Sequence, residues 1–362
     1  MAEFKNYTCP CCAAPVAFDG TSQKLKCQYC GSEFNVEDIL NMEKAEQEVS
    51  TEKTYDWEHY EQREYGSDEV INLSEYTCSG CGAEIYGEDT TGATICPYCG
   101  NSAIVKKQFE GGLKPDYVIP FAVPKDAALQ ILKKSCKGKR LLPKHYIRES
   151  KMENVKGVYV PFWVYDCNVD GDATYDATRV TTWSDSKYNY TKTDHFYVMR
   201  KGKAGFCNVP VDGSEKADDA YMEAIEPYDY SKAVNFDTAY LSGYLANKYD
   251  YDNTQCIDRA NARVDRSTQE LLRSTVTGYA SVTENQSGVR SSDGKVRYAF
   301  LPVWMFNVRY RDKNYNYAIN GQTGKIAGEY PISKGRYWAY LLGISGISSI
   351  LLYALYYFLF MR

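Results

Sequence analysis

The C-terminal end of the chain has the most pronounced hydrophobic pattern. No charged residue occurs from Tyr337 to Met361. A helix of this length would extend about 37 Å, which exceeds the roughly 30 Å hydrocarbon core of a bilayer. Aromatic residues lie near both ends, as is typical of helices that meet two membrane interfaces: Tyr337, Trp338, Tyr340, Tyr356, Tyr357 and Phe358. The pattern predicts a membrane-spanning helix at residues 337–361, with a buried helix of a soluble protein as the alternative.

Basic residues near this stretch predict its orientation. Lys325, Lys334 and Arg336 precede it, and only Arg362 follows it. Basic residues favour the cytoplasmic side of a membrane. The sequence therefore predicts a tail anchor at residues 334–362, crossing the cell membrane once, with the N-terminal part of the chain in the cytoplasm.

The middle of the chain, residues 108–333, alternates between amphipathic and apolar segments. A helix is predicted from Pro124 to about Cys136 and a second from about Gln255 to Ser274. In the second helix one apolar face is expected to contain Ile257, Ala260, Val264 and Leu271. Strands are predicted from apolar and aromatic runs at residues 158–165, 173–183, 188–199 and 298–310.

Two aromatic segments in this middle region are similar. Pro161–Tyr165 reads PFWVY and Pro302–Phe306 reads PVWMF, each after a predicted helix. They predict two related α+β halves. The chain also has 34 Tyr against 13 Phe and 5 Trp, and tyrosine favours half-buried strands. The predicted fold class is α+β, with a β-rich duplicated body.

The N-terminal region contains four Cys-x-x-Cys pairs with regular spacing. In each of two copies, fourteen residues separate the inner cysteines of successive pairs. Two such pairs facing each other give the four thiolates that a tetrahedral zinc ion prefers. The spacing predicts two zinc ribbons, at residues 1–35 and 76–107. The predicted metal ligands are Cys9, Cys12, Cys27, Cys30, Cys78, Cys81, Cys96 and Cys99.

The chemistry of these sites leaves some alternatives open. Iron can use the same four thiolates, and disulfide pairing is the alternative without metal. Cys11 could replace Cys12, although only Cys12 reproduces the spacing of the other pairs. Because protein ligands fill all four positions, two structural Zn²⁺ ions are predicted rather than catalytic ones. The remaining cysteines, Cys136, Cys167, Cys207 and Cys256, are expected to be small buried hydrophobes.

Charge varies along the chain more than its net value of -5 suggests. Residues 36–75 lie in an acidic stretch that predicts a partly helical linker, or alternatively a partner-binding segment. A basic cluster follows further along and predicts contact with anionic lipid or with nucleic acid, a solvated face being the third alternative. Its members are Lys133, Lys134, Lys137, Lys139, Arg140, Lys144, Arg148 and Lys151.

The sequence resembles a family of bacterial membrane-anchored proteins with zinc ribbons of the transcription factor IIB type, a family without a settled activity. Some members are labelled as similar to the primosomal replication-restart helicase. The segments that carry the resemblance are CPCCAAP (Cys9–Pro15), CQYCGSEF (Cys27–Phe34), CPYCGN (Cys96–Asn101), PFWVYD (Pro161–Asp166) and AINGQTGKIAGEYP (Ala318–Pro331). The string GQTGKIAG lacks the spacing of a phosphate-binding loop, so the sequence does not support helicase activity.

The functional prediction follows from these features. No pattern places a nucleophile or a metal beside His59, His145 or His195. We therefore expect no enzymatic activity and infer no small-molecule substrate. The predicted function is a membrane-tethered adaptor or scaffold that presents a cytosolic surface to a protein partner. The alternative is a membrane-associated zinc-ribbon protein that binds nucleic acid.

Overall fold

The chain folds into two compact units. The computed structural model describes residues 7–49, 51–66, 73–88, 95–102, 104–108, 112–146, 155–311 and 313–360. Unit 1 comprises Met1–His59, Tyr165–Val209 and Ile257–Val296. Unit 2 comprises Tyr60–Val164, Pro210–Cys256 and Arg297–Arg362. The domain boundaries inferred from sequence were drawn where the composition changes along the chain. These units are instead defined by compactness, so the sequence-based boundaries stay a prediction.

The described elements mix helices and strands. The helices are α1 (Val36–Glu48), α2 (Lys125–Cys136), α3 (Asp219–Ala224), α4 (Asn253–Ser274) and α5 (Lys334–Phe360). The strands are β1 (Val16–Asp19), β2 (Lys24–Cys27), β3 (Glu33–Phe34), β4 (Lys53–Thr54), β5 (Leu73–Cys78), β6 (Glu84–Glu88), β7 (Ile104–Gln108), β8 (Tyr117–Val118), β9 (Val155–Ser184), β10 (Asn189–Asp212), β11 (Val234–Asn235), β12 (Leu245–Asn247), β13 (Ser281–Tyr310), β14 (Lys313–Asn320) and β15 (Ile326–Gly328). This content confirms the predicted α+β class.

Unit 2 contains residues of a large mixed sheet with the order β11-β8-β13-β9-β12-β6-β5-β7. Strands β8 and β13 run parallel, with Tyr117 opposite Ala299, and β12 runs parallel to β9. Strand β12 is antiparallel to β6 on its other side. The short strands around the second group of cysteines therefore extend the main sheet.

Both faces of β13 are buried within unit 2. Leu301, Val303 and Met305 belong to one hydrophobic cluster, while Trp304 and Phe306 belong to another that contains the buried face of α2. Alternate residues of a strand point to opposite faces, so a strand covered on both sides needs apolar residues at every position. This explains why the segment Pro302–Phe306 in β13 is continuously apolar. The similar segment Pro161–Tyr165 lies in β9, the neighbouring strand. That the two segments come from related halves of the body stays a prediction.

Unit 1 contains a small sheet, helix α1, most of helix α4 and parts of the long strands β9, β10 and β13. Strands β1, β2 and β3 form an antiparallel sheet in which Val16 pairs with Cys27 and Leu25 with Phe34. Strands β9 and β10 pair, and the chain reverses between them where the N–H of Asp185 donates to the carbonyl of Tyr188 at 3.0 Å. The two strands predicted at 173–183 and 188–199 therefore neighbour each other as a hairpin.

The strands predicted at 158–165 and 173–183 are one continuous strand, β9. The polar segment that separates them in sequence includes Gly171. A Cβ atom at Gly171 would lie 2.5 Å from Cγ2 of Thr268 in α4. A glycine inside a strand can mark a close approach rather than a turn. Here it lets α4 pack directly on β9.

The apolar face of α4 differs from the predicted one at its C-terminal end. In unit 1 the buried residues follow a spacing of four and include Ala260, Val264, Thr268 and Leu272, which is 8% exposed. Leu271, predicted to lie on this face, is 51% exposed. The prediction was wrong because the buried face continues from Val264 through the polar residue Thr268. A spacing of four from Thr268 leads to Leu272 rather than to Leu271. The hydroxyl of Thr268 is satisfied by a 2.8 Å hydrogen bond to the carbonyl of Val264, which lets a polar residue be buried.

These adjacent leucines give a matched test of the α4 packing. Leu272→Ala is expected to lower the free energy of unfolding of unit 1 by about 2–4 kcal/mol, because it leaves a cavity against Ala173, Tyr175 and Val198. Leu271→Ala removes the same atoms from a half-exposed site and should cost less than about 1 kcal/mol. Native-state hydrogen exchange of unit 1 amides measures both. Equal effects would contradict this packing.

The acidic stretch after the first ribbon is partly helical, as predicted, and its later aromatic residues pack on the protein itself. In unit 1 the indole N–H of Trp57 donates to Oδ1 of Asn261 at 2.8 Å, and its ring lies 5.1 Å from that of Tyr165. In unit 2 the hydroxyl of Tyr60 donates to Oδ2 of Asp116 at 3.1 Å. Around Trp57 and Tyr60 the chain therefore packs against the folded units instead of forming a free linker.

Helix α5 is the long apolar element predicted at the C-terminus. Within the described residues it is the one helix that is long and apolar enough to cross a membrane, and its hydrophobic window from Lys334 to Leu359 is not buried against the protein. Its large side chains, including Leu342 and Ile350, are mostly exposed. This surface favours an apolar environment outside the protein.

Candidate metal centres

The four Cys-x-x-Cys segments adopt the same backbone conformation. In each, the N–H of the first cysteine donates to the carbonyl five residues later, and the N–H four residues later donates back to the carbonyl of that cysteine. The first bond has lengths of 2.7 to 3.0 Å and the second of 2.8 to 3.0 Å across the turns that begin at Cys9, Cys27, Cys78 and Cys96. These two bonds close a tight turn that leaves both sulfurs on one side.

A residue with positive φ ends each of these turns. Gly31, Gly82 and Gly100 have φ of 76°, 75° and 73°. The same position in the first turn is Ala13, with φ of 59°. Glycine adopts this conformation without strain, whereas alanine does so at a cost. The first turn therefore contains backbone strain that its hydrogen bonds help to offset.

The turns bring the eight predicted cysteines into two groups of four. Within each group all four Sγ atoms lie within 4.8 Å of one another. The closest pairs in the first group are Cys9–Cys30 at 3.6 Å and Cys12–Cys27 at 3.5 Å. In the second group, Cys78–Cys99 and Cys81–Cys96 are each 3.6 Å apart. The first group, which we call knot 1, belongs to unit 1, and the second, knot 2, belongs to unit 2.

These distances fit a shared metal ion better than disulfides. Four sulfurs bonded to one tetrahedral ion at about 2.3 Å would lie about 3.8 Å apart. A disulfide requires about 2.05 Å. Cys11 is outside the group, as the spacing of the pairs predicts. Each knot could therefore hold one metal ion through thiolates alone.

Burial and hydrogen bonds affect the thiols of knot 1 differently. Burial raises the pKa of Cys9 to about 12. Hydrogen bonding with Ser32, whose Oγ lies 3.2 Å from the sulfur, lowers the pKa of Cys30 to about 6. A thiol with a raised pKa retains its proton at neutral pH unless a cation replaces that proton. A metal ion bound at knot 1 would therefore favour the thiolate form of Cys9.

Knot 2 has a similar asymmetry. Burial would raise the pKa of Cys78, but hydrogen bonds from the backbone N–H groups of Cys81 and Gly80, together with those to the thiols of Cys99 and Cys81, outweigh it and lower that pKa to about 7. The Gly80 N–H lies 3.4 Å from the Cys78 sulfur. Burial raises the pKa of Cys81 to about 11 and that of Cys96 still further. The N–H groups that stabilise one thiolate would equally stabilise a metal-bound sulfur.

Knot 2 is part of the core of unit 2. Cys78 and Cys96 lie in the same hydrophobic cluster as Val158 and Val303 of the main sheet. Two side chains also bind the backbone of its second turn. Asn307 Nδ2 donates to the carbonyl of Tyr98 at 3.2 Å, and Asn314 Nδ2 donates to that of Cys99 at 3.4 Å. These contacts were not predictable from sequence, since neither asparagine lies near a cysteine along the chain.

Knot 1 lies in a small sheet and has more exposed surroundings. Tyr29, between two of its cysteines, is 85% exposed, and Phe18 in β1 is 55% exposed. Beside it, unit 1 contains a groove of about 720 Å³ with Pro10 and Phe34 from the knot 1 region, Met42 from α1 and His195 in its lining. Exposed aromatic residues and grooves are each typical of binding surfaces. Sequence analysis did not identify this groove.

The other predicted residues are separate from the knots. The three histidines are exposed in the structure. Cys136, Cys167 and Cys256 are buried as predicted, but Cys207 is exposed. That prediction was wrong because Cys207 lies on the outward face of β10, where strand alternation places it.

The basic residues form an exposed surface on unit 2. Lys133 and Lys134 lie in the last turn of α2, and the others follow in the loop after it. We define the α2 basic surface by its described, exposed members: Lys133, Lys134, Lys137, Lys139, Arg140 and Lys144. Arg148 and Lys151 lie outside the described residues.

Comparison with known proteins identifies one extensive similarity. No family model matches the chain, and no solved structure matches it. The chain is 34% identical over 341 residues to the "Uncharacterized protein YdjG" of Bacillus subtilis (strain 168), an alignment that covers 94% of each chain. Identity at this level over nearly the full length of both chains shows common descent. The chain therefore belongs to the family of the Bacillus subtilis protein YdjG.

Proposed function

We propose that this protein is a membrane-tethered adaptor in which two zinc ions stabilise ribbons and an exposed surface around knot 1 recognises a partner protein. The observation that carries the proposal is the contrast between the two knots. Knot 2 is packed into the core of unit 2, whereas knot 1 presents Tyr29 and Phe18 to solvent. A site built only to stabilise the fold has no need for an exposed tyrosine.

Zinc is the metal we propose for both knots. Complete thiolate coordination leaves no open position for a substrate or an activated water, which favours a structural role. The cysteine spacing also resembles that of ribbons of the transcription factor IIB type, which supports this choice. Zinc has no redox chemistry, and it would keep the eight thiolates from oxidation to disulfides.

The membrane is the proposed location, with α5 as the anchor. The chain is expected to cross the bilayer once, with unit 1 and unit 2 in the cytoplasm, because Lys334 and Arg336 lie in the first turn of α5, before its uncharged stretch. Reduced thiolates require a reducing compartment, and this supports the same orientation. Tethering would concentrate the knot 1 surface at the membrane, where a weak contact suffices for recruitment.

A photo-crosslinking amino acid tests the recognition surface. With p-benzoylphenylalanine at Tyr29 or at Phe18 in the full chain, we expect discrete adducts with a partner protein in native cells. The matched control is Tyr251, another partly exposed tyrosine, which belongs to unit 2. Adducts at Tyr29 should disappear when Cys12→Ser removes the metal of knot 1. Adducts that are equally abundant at Tyr251, or absent from Tyr29, would contradict the proposal.

The second candidate function, nucleic-acid binding, is favoured by the exposed α2 basic surface. This function predicts that the full chain in detergent binds duplex DNA or RNA, with an affinity that falls by about 0.9 log units per phosphate contact for each tenfold rise in salt. Our proposal predicts no such binding, since the chain as a whole has a net charge of -5. Fluorescence anisotropy over a salt series measures this directly. Strong nucleic-acid binding that weakens steeply with salt would contradict the adaptor proposal and support nucleic-acid binding as the function.

A further inference from the structure

The first turn of α5 is bound to the loop that follows α2. The backbone N–H of Ser333 donates to the carbonyl of Leu141 at 2.8 Å. The guanidinium of Arg336 donates to the carbonyls of Arg140 and Leu142. All five residues belong to unit 2. The start of the proposed anchor is therefore attached to a specific loop of that unit.

Tyr330 makes a second attachment just before α5. Its hydroxyl donates to Oγ of Ser135 in α2 at 2.7 Å. The ammonium of Lys139 lies 3.9 Å from the centroid of its ring, a cation–π contact, and Tyr317 packs on the ring at 5.1 Å. Helix α2, its loop and the segment entering α5 thus form one connected group. Their relative positions within unit 2 are fixed by hydrogen bonds and ring packing.

This attachment brings the α2 basic surface to the start of α5. Lys139 and Arg140 make the contacts just described, and Lys133 and Lys134 directly precede Ser135. In the ranges that the structure describes, no acidic side chain forms an ion pair with a member of this surface. On a chain with net charge -5, the surface is a local excess of positive charge.

We propose that the α2 basic surface contacts the anionic lipid headgroups of the leaflet that α5 enters. The proposal rests on the proposed anchoring by α5, and it adds a lipid class and a contact surface. If α5 spans the bilayer, its first turn lies at the level of the headgroups. Residues bound to that turn then lie near the same level, within the roughly 8 Å over which charge acts at physiological salt. Lysines on flexible stems suit a fluid layer of lipid phosphates and carboxylates.

Electrostatics favour lipid headgroups over nucleic acid as the ligand of the α2 basic surface. A nucleic acid on this surface would be held against a bilayer whose own headgroups are negative, and it would compete with them for the same lysines. Lipid headgroups need no further recognition element, because α5 already holds the surface beside them. The contact would hold unit 2 against an anionic leaflet and would weaken on a neutral one.

Lysine labelling in lipid nanodiscs tests the proposal on the full chain. The chain is inserted into discs of phosphatidylcholine alone or of phosphatidylcholine with phosphatidylserine, and amine acetylation of each lysine is followed by mass spectrometry. We expect acetylation of Lys133, Lys137 and Lys144 to be about fivefold slower in the anionic discs, the factor that corresponds to one basic residue near an anionic surface. Lys187, between β9 and β10, and Lys192, near the start of β10, belong to unit 1, serve as controls and should react equally in both discs. Added salt should restore the acetylation rate.

The outcomes separate this surface from the anchor. If the chain inserts and the lysines are acetylated at equal rates in both discs, the proposed lipid contact of the α2 basic surface is wrong, whereas the proposed anchoring by α5 is unaffected. Failure of the chain to enter either disc would overturn both. Protection by a DNA duplex in neutral discs, without protection by phosphatidylserine, would assign the surface to nucleic acid and overturn the lipid proposal.

Discussion

Replacing Cys96 with serine is expected to remove one metal ion per chain and to unfold much of unit 2. Metal binding by such sites contributes about 10–16 kcal/mol, comparable to the entire stability of a typical domain. Cys96 is fully buried in the cluster that contains Val158 and Val303, and β12 joins the knot 2 strands to the main sheet. Loss of the metal should therefore expose amides of β9 and β13 to hydrogen exchange, in addition to those of the knot itself.

Knot 1 provides the comparison. Cys12→Ser should also remove one ion, but the expected loss of protection is confined to unit 1 and centred on β1, β2 and β3. Cys11→Ser, at the adjacent position, changes a cysteine outside the group and should leave the metal content unchanged. Metal analysis and hydrogen exchange of the three variants distinguish these cases. Full protection of β9 and β13 in Cys96→Ser would contradict the structural role of knot 2.

Two arginines in the middle of α5 are expected to release the protein from membranes. Ile347→Arg with Leu351→Arg places both charges on one face of the helix, one turn apart. Each costs about 2.5–3.5 kcal/mol at the centre of a bilayer, so the pair opposes insertion by about 5–7 kcal/mol. The expected result is transfer from the carbonate-resistant membrane fraction to the soluble or aggregated fraction, measured by fractionation and immunoblotting.

The matched control keeps the same positions uncharged. Ile347→Ala with Leu351→Ala removes similar apolar surface without introducing charge, and alanine is tolerated in membrane helices. This variant should stay in the membrane fraction. Because both side chains are exposed in the structure, neither change disturbs the packing of unit 2. An arginine variant that stays integrated, or a wild-type chain removed by high salt alone, would contradict anchoring by α5.

The sequence predicted those features that depend on local spacing. The two-residue gaps within the cysteine pairs implied that four sulfurs converge twice, and in the structure they do. The helix predicted from Pro124 to about Cys136 is α2, because a helix begins readily after proline and Gly138, just beyond its end, adopts a φ of 81°. A local signal also acts at Asn320, whose side chain accepts from the N–H groups of Gln322 and Thr323 and so stabilises the turn that follows.

Features that depend on distant contacts were not predictable in this way. The sequence gives no indication that β12 would join knot 2 to the main sheet, because β12 lies far from the cysteines along the chain. The continuity of β9 through Gly171 depends on the approach of α4. The attachment of Arg336 to the loop after α2 uses backbone carbonyls, which every residue has and which no sequence pattern distinguishes.

The most direct test of the account is zinc K-edge X-ray absorption of the purified full chain, combined with metal analysis. We predict about two zinc ions per chain, each surrounded by four sulfur atoms at about 2.3 Å. A metal-free chain with its cysteines joined as disulfides would contradict the account, as would zinc bound through nitrogen or oxygen.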